Sequence, residues 1–243
     1  MKNNIVFFTG AGMSRESGLP TFRGEGGIWN EMDAAKVASK AAWYSGRYSN
    51  CKERRQAVLD FINPIRRAVI EHEPNEGHHL IASLEEKFNV TVITQNGDDY
   101  HTRAGSTNVI YLHGEALKNS STIRPYKSFD IDLNNPDIKI GDKAVDGSQI
   151  RPYVIFFDED LEMTLWKKAV QAAKTADYFV VIGCSLVVFP AVDLLKLIPV
   201  ECKCYVINPD DVEMLEGVNC SFTHLRCGAS EGMKEITDSL SHL

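Results

Sequence analysis

Short apolar segments alternate with longer amphipathic segments along this chain. Six segments of buried-strand length are rich in β-branched and aromatic residues: NIVFFTG, VTVITQN, VIYLHG, YVIFFD, YFVVIG and CYVIN. Between them, segments such as RRQAVLDFINPIRRAVIEHE, GHHLIASLEEKF and LEMTLWKKAVQAAKTA place apolar residues three or four positions apart, which is the spacing of a helix with one buried face. Strands that alternate with helices predict an α/β fold with a Rossmann-like, doubly wound parallel sheet.

One polar stretch interrupts this alternation. Residues 115–150 are rich in Asn, Asp and Gly and show no helical period, and the strand pattern resumes at RPYVIFFD. A second candidate insertion at about residues 30–76 is mostly helical. We therefore predict a single domain. Its large Rossmann-like lobe would comprise about residues 1–29, 77–114 and 151–243, and a smaller lobe would be formed by the insertions at about 30–76 and 115–150.

Charge and hydropathy narrow the class of protein. The chain of 243 residues has a formal net charge of -7, whereas binding a nucleic-acid backbone favours a basic face. We therefore expect no direct nucleic-acid partner. No apolar run reaches the roughly 18 to 20 residues of a membrane span, and no signal-peptide pattern precedes the first predicted strand. We expect a cytoplasmic protein with no membrane partner, of unknown oligomeric state.

Four of the six cysteines cluster near the C-terminus, at Cys202, Cys204, Cys220 and Cys227. They lack the C-x2-C spacing that is typical of structural zinc sites. The segment VECKCYVIN alternates like a strand with its two cysteines on one face. We interpret these residues as small apolar side chains of a reduced interior, and a metal site is the alternative.

The first predicted strand leads into TGAGMSRESGLPTFRG. Gly10, Ala11 and Gly12 leave the backbone free to turn tightly and let a phosphate approach the amides of a following helix. The dinucleotide-binding pattern G-x-G-x-x-G expects glycine where Arg15 stands. The turn alone is therefore compatible with a pyrophosphate site and also with no ligand.

This segment is one of several blocks that resemble the sirtuin family. It matches G-A-G-x-S-x-x-S-G-x-P-x-F-R-G from Gly10 to Gly24. Further along, TQNGDDYHTRAGS resembles T-Q-N-x-D-x-x-H-x-x-A-G-S and is followed by LHG. RPYVIFFDEDL resembles R-P-x-V-V-x-F-G-E-x-L, VVIGCSLVVFPAVDL resembles G-T-S-L-x-V-x-P-A, and VINPD resembles the family's late I-N strand. The blocks occur in family order, so the resemblance implies the sirtuin fold over nearly the whole chain.

The resemblance implies that NAD is a reactant. Nicotinamide is displaced, the acyl oxygen of an acyl-lysine attacks the ribose carbon, and the acyl group ends on ADP-ribose. A helix N-terminus would supply positive potential to the phosphates. Phe22 would shield the ribosyl cation from water, and Arg23 would anchor the phosphates or the cofactor loop. The residues implied for cofactor binding outside the catalytic block are Gly10, Ala11, Gly12, Ser14, Pro20, Phe22, Arg23, Gly183, Cys184, Ser185, Asn208, Cys227 and Ala229.

The same resemblance implies four catalytic residues. Asn96 and Asp98 match the nicotinamide pocket, and Gln95 matches the contact to the ribose hydroxyls. His113 matches the general base that takes a proton from a ribose hydroxyl. The ordinary pKa of an imidazole, about 6.5, suits a base that acts at neutral pH. Taken singly, each has a structural alternative, because Asn or Asp after a strand also caps turns and a lone His is often structural.

The chain departs from the family pattern at three places. Most sirtuins have two C-x2-C pairs after the catalytic HG, whereas residues 115–150 contain neither Cys nor His. We therefore predict no structural zinc, so that packing and hydrogen bonds must hold this lobe or leave it more mobile. Gly97 stands where a branched apolar residue is usual, which would remove packing against nicotinamide. Asp158 replaces the glycine of FGE, in the segment that pairs with the substrate backbone.

One comparison addresses the acyl group. Desuccinylase-type sirtuins present a Tyr and an Arg three residues apart to grip the distal carboxylate, and the corresponding residues here are Ile62 and Ile65 in FINPIRR. That pocket would be apolar and would favour acetyl or longer fatty acyl groups over succinyl. Ordinary core packing is the alternative explanation of the isoleucines. Tyr44 and Arg47 have the same spacing but lie too early in the chain, so we interpret them as helix surface.

Three functions are compatible with these residues. The first is NAD-dependent deacylation of acylated-lysine proteins or peptides, supported by His113 and by Val154 and Phe157, which match the family's contacts to acyl-lysine. The second is NAD hydrolysis or ADP-ribosyl transfer, which needs the cofactor site but no peptide groove. The third is a catalytically silent nucleotide-binding module, which has no chemical need for Gln95 or His113.

Overall fold

A computed structural model describes residues 2–24, 26–44, 51–123 and 127–241. The strands in these residues are β1 (Asn4–Thr9), β2 (Asn89–Thr94), β3 (Val109–Tyr111), β4 (Gly114–Ser121), β5 (Ser128–Asp130), β6 (Ile150–Val154), β7 (Tyr178–Ile182), β8 (Lys203–Ile207) and β9 (Phe222–Leu225). The α-helices are α1 (Ala34–Val37), α2 (Lys40–Tyr44), α3 (Cys51–Glu71), α4 (Glu76–Ser83), α5 (Tyr100–Arg103), α6 (Met163–Lys174) and α7 (Ala229–Leu240). Arg47, considered above as helix surface, lies outside the described residues.

Six parallel strands form the main sheet, in the order β3-β2-β1-β7-β8-β9. Val6 and Phe8 of β1 belong to one hydrophobic cluster, which includes Ala169 of α6. Ile5 and Phe7 belong to a second cluster, which includes residues of α4 and α7. Because alternate residues of one strand enter different cores, both faces of the sheet are covered. The prediction of an α/β, doubly wound parallel sheet is confirmed.

β6 belongs to a second sheet, which is antiparallel and has the order β5-β4-β6. The expectation that this segment resumes the parallel sheet is wrong. Pro152 has no N–H for a ladder hydrogen bond, so it suits an edge strand better than the middle of a buried sheet. The lobe boundaries stay a prediction, and β6 begins at the border of the inserted range 115–150.

One further element differs from its prediction, and two others are not predicted by the pattern of apolar residues. The helix expected directly after β1 is a four-residue 3₁₀ helix, Ala11–Ser14. It is therefore too short to supply the macrodipole expected for the phosphates. β9 has only half-buried or exposed residues and lies at the edge of the sheet, so its sequence FTHL lacks the apolar signal. α7 was not among the predicted helices either.

A buried ion pair ties β6 to the loop that follows it. Arg151 Nη1 and Nη2 donate to the two carboxylate oxygens of Glu159 at 2.8 and 2.9 Å, and both side chains are almost inaccessible to water. Glu159 Oε2 also accepts a hydrogen bond from Phe156 N at 2.9 Å. The guanidinium lies 4.4 Å from the centroid of the Phe156 ring. This pair fixes the loop that carries Phe157 and Asp158.

We expect Glu159→Gln to destabilise the protein by about 3–5 kcal/mol, because it removes the negative charge that pairs with the buried guanidinium of Arg151. Urea unfolding followed by circular dichroism measures this loss. The matched control is Asp193→Asn, which breaks a half-exposed pair with Lys196 and is expected to change the free energy of unfolding by less than about 1 kcal/mol. Equal losses in the two variants would contradict the structural role of the buried pair.

Candidate active site

The predicted site residues follow the carboxyl ends of the parallel strands. Each strand of the main sheet is followed within two residues by one of them, namely Gly10 after β1, Gln95 after β2, His113 after β3, Gly183 after β7, Asn208 after β8 and Cys227 after β9. Ligands of open α/β sheets bind outside these ends, where the strand order reverses. That reversal lies between β1 and β7, so the topology gathers these residues at one edge.

The loops after β1 and β7 are in close contact. Gly12 N donates to Gly183 O at 2.9 Å, and Gly10 N donates to Ile182 O at 2.9 Å. Gly183 has a φ of +58°, and a Cβ on it would lie 2.4 Å from the carbonyl carbon of Gly12. A side chain there would force the loops apart. Loop packing by itself therefore requires these glycines, whether or not a pyrophosphate binds beside them.

A cavity of about 950 Å³ lies along this edge of the sheet. It brings together residues that are far apart in the sequence, including some that the motifs do not indicate, such as Trp29, Phe61 and Ala116. Every residue predicted for the catalytic, cofactor and acyl sites lines it: Gly10, Ala11, Gly12, Ser14, Pro20, Phe22, Arg23, Ile62, Ile65, Gln95, Asn96, Asp98, His113, Val154, Phe157, Gly183, Cys184, Ser185, Asn208, Cys227 and Ala229.

Asn96, Ser14 and Asp98 form one buried hydrogen-bond network. Asn96 Nδ2 donates to Gly10 O at 3.0 Å and to Ser14 Oγ at 3.2 Å. Ser14 Oγ in turn donates to Asp98 Oδ2 at 2.8 Å. The resemblance implies cofactor binding for Ser14, and in this structure its hydroxyl orients Asp98. This link escapes sequence reasoning because it joins the loops that follow two different strands.

The carboxylate of Asp98 has an unusual electrostatic environment. Burial raises its pKa from 3.8 to about 6, and the hydrogen bonds that it accepts from Ser14 Oγ and Tyr100 N only partly oppose this shift. At neutral pH the group is therefore a charge held in a poorly hydrated wall of the cavity. A carboxylate that lines a cavity and has a pKa raised by burial is a candidate for contact with a polar ligand.

His113 is half-buried, and its imidazole is neutral at pH 7. Burial lowers its pKa, and a hydrogen bond to the backbone of Gln95 opposes the shift. Nδ1 lies 3.3 Å from Gln95 O. Since a carbonyl only accepts hydrogen bonds, Nδ1 must carry the proton, which leaves Nε2 with a free lone pair. The backbone carbonyl of His113 accepts from Ile155 N at 2.8 Å, which fixes the residue beside the loop after β6.

Two further histidines, His78 and His101, lie in contact with each other. His78 completes a capping box with Asn75 at the start of α4, and His101 lies 3.1 Å from Thr9 Oγ1 through Nε2. Their rings are 4.7 Å apart between centroids. Burial lowers the pKa of His78 to about 2 and that of His101 to about 3. Both rings are therefore neutral at pH 7.

Aromatic rings connect the predicted cofactor loop to α3. Phe22 stacks on Trp29 with 5.2 Å between ring centroids, and Trp29 contacts Phe61 of α3 at 5.4 Å. Phe157 lies 6.4 Å from Trp29. The motifs do not indicate Trp29, although it lies only five residues after Gly24, the last residue of the first block. Trp29 therefore links the cofactor loop with both walls of the acyl side of the cavity.

Cys184 and Asn208, which are both predicted to bind the cofactor, contact each other. Asn208 Nδ2 donates to Cys184 O at 3.2 Å, and its Oδ1 accepts from Asp210 N at 3.1 Å. Cys184 Sγ accepts from Gln95 Nε2 at 2.9 Å. These contacts join the loops after β2, β7 and β8. The side chain of Gln95 is thus held by its neighbour and is oriented before any ligand binds.

The face of α3 that lines the cavity is apolar. Ile62 is buried and Ile65 is half-buried. The two arginines of this helix segment point elsewhere: Arg66 donates to Pro136 O and Lys118 O, and Arg67 pairs with Asp137. Helical spacing therefore separates the guanidinium groups from the cavity wall.

Three of the four C-terminal cysteines lie together, and the fourth lies apart from them. Cys202 and Cys204 are buried in the cluster that contains β1 and α6, and Cys220 packs against that cluster. Cys227 packs on the other face of the sheet and lines the cavity. Among the described residues, no group of three or more His, Cys, Asp or Glu side chains is arranged to hold a metal ion.

The comparisons with known proteins agree with this geometry. A family model described as the Sir2 family matches residues 10–190. The chain belongs to the Sir2 family. An NAD-dependent protein deacylase of Bacteroides thetaiotaomicron is 42% identical over 241 residues, which cover 98% of this chain and 97% of that protein.

Solved Sir2 structures share the whole fold. A mutant Sir2 homologue in complex with ADP-ribose superposes with a TM-score of 0.86 at 32% identity, covering 99% of this chain and 93% of that one. A Sir2 mutant with a deacetylated p53 peptide and 3'-O-acetyl-ADP-ribose has a TM-score of 0.80 at 27% identity, covering 98% and 94% of the chains. The resemblance read from the sequence blocks is confirmed.

Two departures of this Sir2 chain have different structural explanations. Asp158 has a φ of +67°, a left-handed conformation that glycine adopts without strain, and Asp tolerates it better than most residues. Gly97 does not have a positive φ, and a Cβ on it would lie 3.4 Å from Cβ of Ala116. The backbone therefore does not require glycine at 97, and what the residue contributes is space in the cavity wall.

We expect Asp98→Asn to be more stable than the parent chain at pH 8 and to lose that advantage in acid. The folded-state pKa of about 6 exceeds the unfolded value of 3.8, so the parent chain loses stability as the pH rises through this window, by about 2–3 kcal/mol. The amide has no such titration. Urea unfolding at pH 4, 6 and 8 measures the difference.

The control for this series is Asp238→Asn, which changes an exposed carboxylate of α7. It controls for the loss of one surface negative charge. If Asp98→Asn behaves like this control, the electrostatic strain assigned to Asp98 is wrong.

Proposed function

We propose that this protein is an NAD-dependent protein lysine deacylase, which releases nicotinamide and transfers the acyl group to ADP-ribose. The observation that carries the proposal is the cavity at the strand ends, where Gln95, Asn96, Asp98 and a neutral His113 lie together beside an apolar wall. The NAD-dependent deacylase of Bacteroides thetaiotaomicron supports it through its similarity over nearly the full length.

The donor set of the cavity fits NAD. The small residues Gly10, Ala11 and Gly12 border the cavity together with Gly183, so a pyrophosphate could approach the backbone without meeting side chains. The exposed Arg23 contributes positive charge at the same cavity. When bound, NAD supplies a ribosyl carbon that becomes electrophilic as nicotinamide leaves.

The chain's own residues then have distinct tasks. Asn96 and Asp98 are oriented by Ser14 and would hold the nicotinamide amide, and Gln95 is oriented by Cys184 to contact the ribose hydroxyls. Dipoles that are fixed before the reaction stabilise developing charge better than groups that must reorient. The stacked rings of Phe22 and Trp29 would exclude water from the reacting face.

His113 is the proposed general base. Its Nδ1 proton is held by Gln95 O, so Nε2 is free to take a proton from a ribose hydroxyl. Because burial keeps the pKa of the ring below its ordinary value, the base is unprotonated at neutral pH. A protonated ring at this position could not accept the proton, so turnover needs a pH above that pKa.

Acylated lysines of proteins or peptides are the proposed substrates, with neutral acyl groups preferred. Val154 and Phe157 on one side and Ile62 and Ile65 on the other would enclose the acyl chain. A succinyl carboxylate would lie among these four apolar side chains, none of which can form an ion pair with it, and this is unfavourable. Acetyl or longer fatty acyl groups have no such penalty.

The cellular setting of the protein stays a prediction. No helix in the described part of the chain has the length and apolar character needed to cross a membrane. The cytoplasmic location and the lack of a nucleic-acid partner are inferred from the sequence alone. Cell fractionation with an antibody to the protein tests the location.

We expect the purified protein to release nicotinamide only with an acyl-lysine peptide, in equal amounts with O-acyl-ADP-ribose. His113→Ala is expected to lower kcat/KM by at least about 100-fold, the lower end of general-base contributions, while NAD binding survives. The control is His79→Ala, which changes an exposed histidine of α4 and is expected to retain activity. Chromatography of all products measures both.

The outcomes separate the alternatives. Nicotinamide release without peptide, giving free ADP-ribose, would make the protein an NAD hydrolase, and transfer of ADP-ribose to protein would make it an ADP-ribosyltransferase. NAD binding with no turnover would favour the silent module. Unchanged turnover in His113→Ala would remove the assigned base.

The double variant Ile62→Tyr with Ile65→Arg is expected to raise the succinyl-to-acetyl ratio of kcat/KM by at least about tenfold, because a guanidinium beside a carboxylate forms a charge-assisted pair. Competition between succinyl- and acetyl-lysine peptides measures the ratio. Ile70→Val, elsewhere on α3, is the control and is expected to leave it unchanged. A parent enzyme that already prefers succinyl-lysine would overturn the assignment of the two isoleucines.

A further inference from the structure

The long helix α3 has two faces with different partners. One face, with Phe61, Ile62 and Ile65, lines the cavity. Three polar residues of the same helix, Asn63, Arg66 and Arg67, contact the segment Pro136–Ile138. This segment belongs to residues 115–150, where most sirtuins have C-x2-C pairs and this chain has neither Cys nor His. The same helix therefore forms part of the cavity wall and holds the segment Pro136–Ile138.

Asn63 makes a two-way hydrogen bond with the backbone of Ile138. Its Nδ2 donates to Ile138 O at 3.0 Å, and its Oδ1 accepts from Ile138 N at 3.1 Å. This satisfies the two backbone groups of a residue that is 3% exposed. The Ile138 side chain packs in the same cluster as Phe61 and Ile62. A shift of Ile138 would therefore be transmitted directly to the cavity wall.

Arg66 extends this attachment to the sheet. It is fully buried, and it donates from Nη1 to Pro136 O at 3.1 Å and from Nη2 to Lys118 O at 2.8 Å. Lys118 lies on β4, the strand that begins directly after His113. The guanidinium of Arg66 thus links α3, the segment Pro136–Ile138 and β4, the strand next to the proposed base. Arg67 also contacts the segment through Asp137, but both of these side chains are partly exposed.

We propose that Asn63 and Arg66 are positioning residues for the acyl group, because they fasten the segment Pro136–Ile138 to α3 and so fix the wall formed by Ile62 and Ile65. The inference rests on the proposed deacylase function. Neither residue lines the cavity, so each acts through its neighbours. Their loss affects binding of the acyl-lysine peptide, whereas the glycine loops and Arg23, proposed to bind NAD, lie on other elements.

The test compares KM for the acyl-lysine peptide with KM for NAD in the full-length protein. Asn63→Ala is expected to raise the peptide KM by about tenfold, as loss of a buried hydrogen bond would, and to change the NAD KM by less than about twofold. It is also expected to flatten the preference among acetyl-, butyryl- and myristoyl-lysine. Arg67→Ala, on the same helix and segment, is the matched control and is expected to leave both constants unchanged.

Asn63→Asp and Arg66→Lys keep the test decisive if the alanine variant does not fold. Asn63→Asp retains an acceptor for Ile138 N, so a smaller rise in the peptide KM is expected, and Arg66→Lys keeps the charge but loses the fork that spans two carbonyls. Equal rises in both KM values, or none, would overturn the positioning role. A parent chain that releases nicotinamide without peptide would instead refute the proposed function, so the two failures are distinguishable.

Discussion

The contact between the loops after β1 and β7 is the constraint on which the site depends. At the point where strand order reverses, two connections leave the sheet in opposite directions and open a crevice between them. Gly12 and Gly183 allow the two backbones to touch, so the crevice has a closed floor. A larger residue at either position would separate the loops that carry Ser14 and Cys184, and these two residues orient Asp98 and Gln95.

The polar groups above that floor are oriented at a cost in electrostatic free energy. Asp98 is held in a buried wall where its pKa rises to about 6, while burial keeps His113 neutral. A fold optimised only for stability has no need for a carboxylate in such surroundings. Chemistry that separates charge does, because groups held in place in a site with little water interact strongly with the charge that develops.

Much of this organisation could be predicted from the sequence, for identifiable reasons. Buried strands such as β1 and β7 are continuous apolar runs, and the residues directly after them carry the site. The failures lie where a local pattern does not determine the outcome. β6 has a strand pattern, but Pro152 makes it an edge strand of another sheet, and β9 is too polar to stand out. Contacts between distant segments, such as Ser14 with Asp98 or Trp29 with Phe61, leave no periodic signal.

Residues 115–150 contain neither Cys nor His, and contacts with distant segments hold part of this stretch in place. A metal ion would hold four side chains through strong directional bonds, and its loss removes a source of folding free energy. Here Asn63 and Arg66 donate to or accept from the backbone of Pro136–Ile138, and the Arg151–Glu159 pair joins β6 to the loop that follows it. These bonds end on α3 and on the loop that carries Phe157. The groups that hold this stretch therefore contact the walls of the cavity, which couples the stability of this part of the fold to the shape of the predicted acyl site.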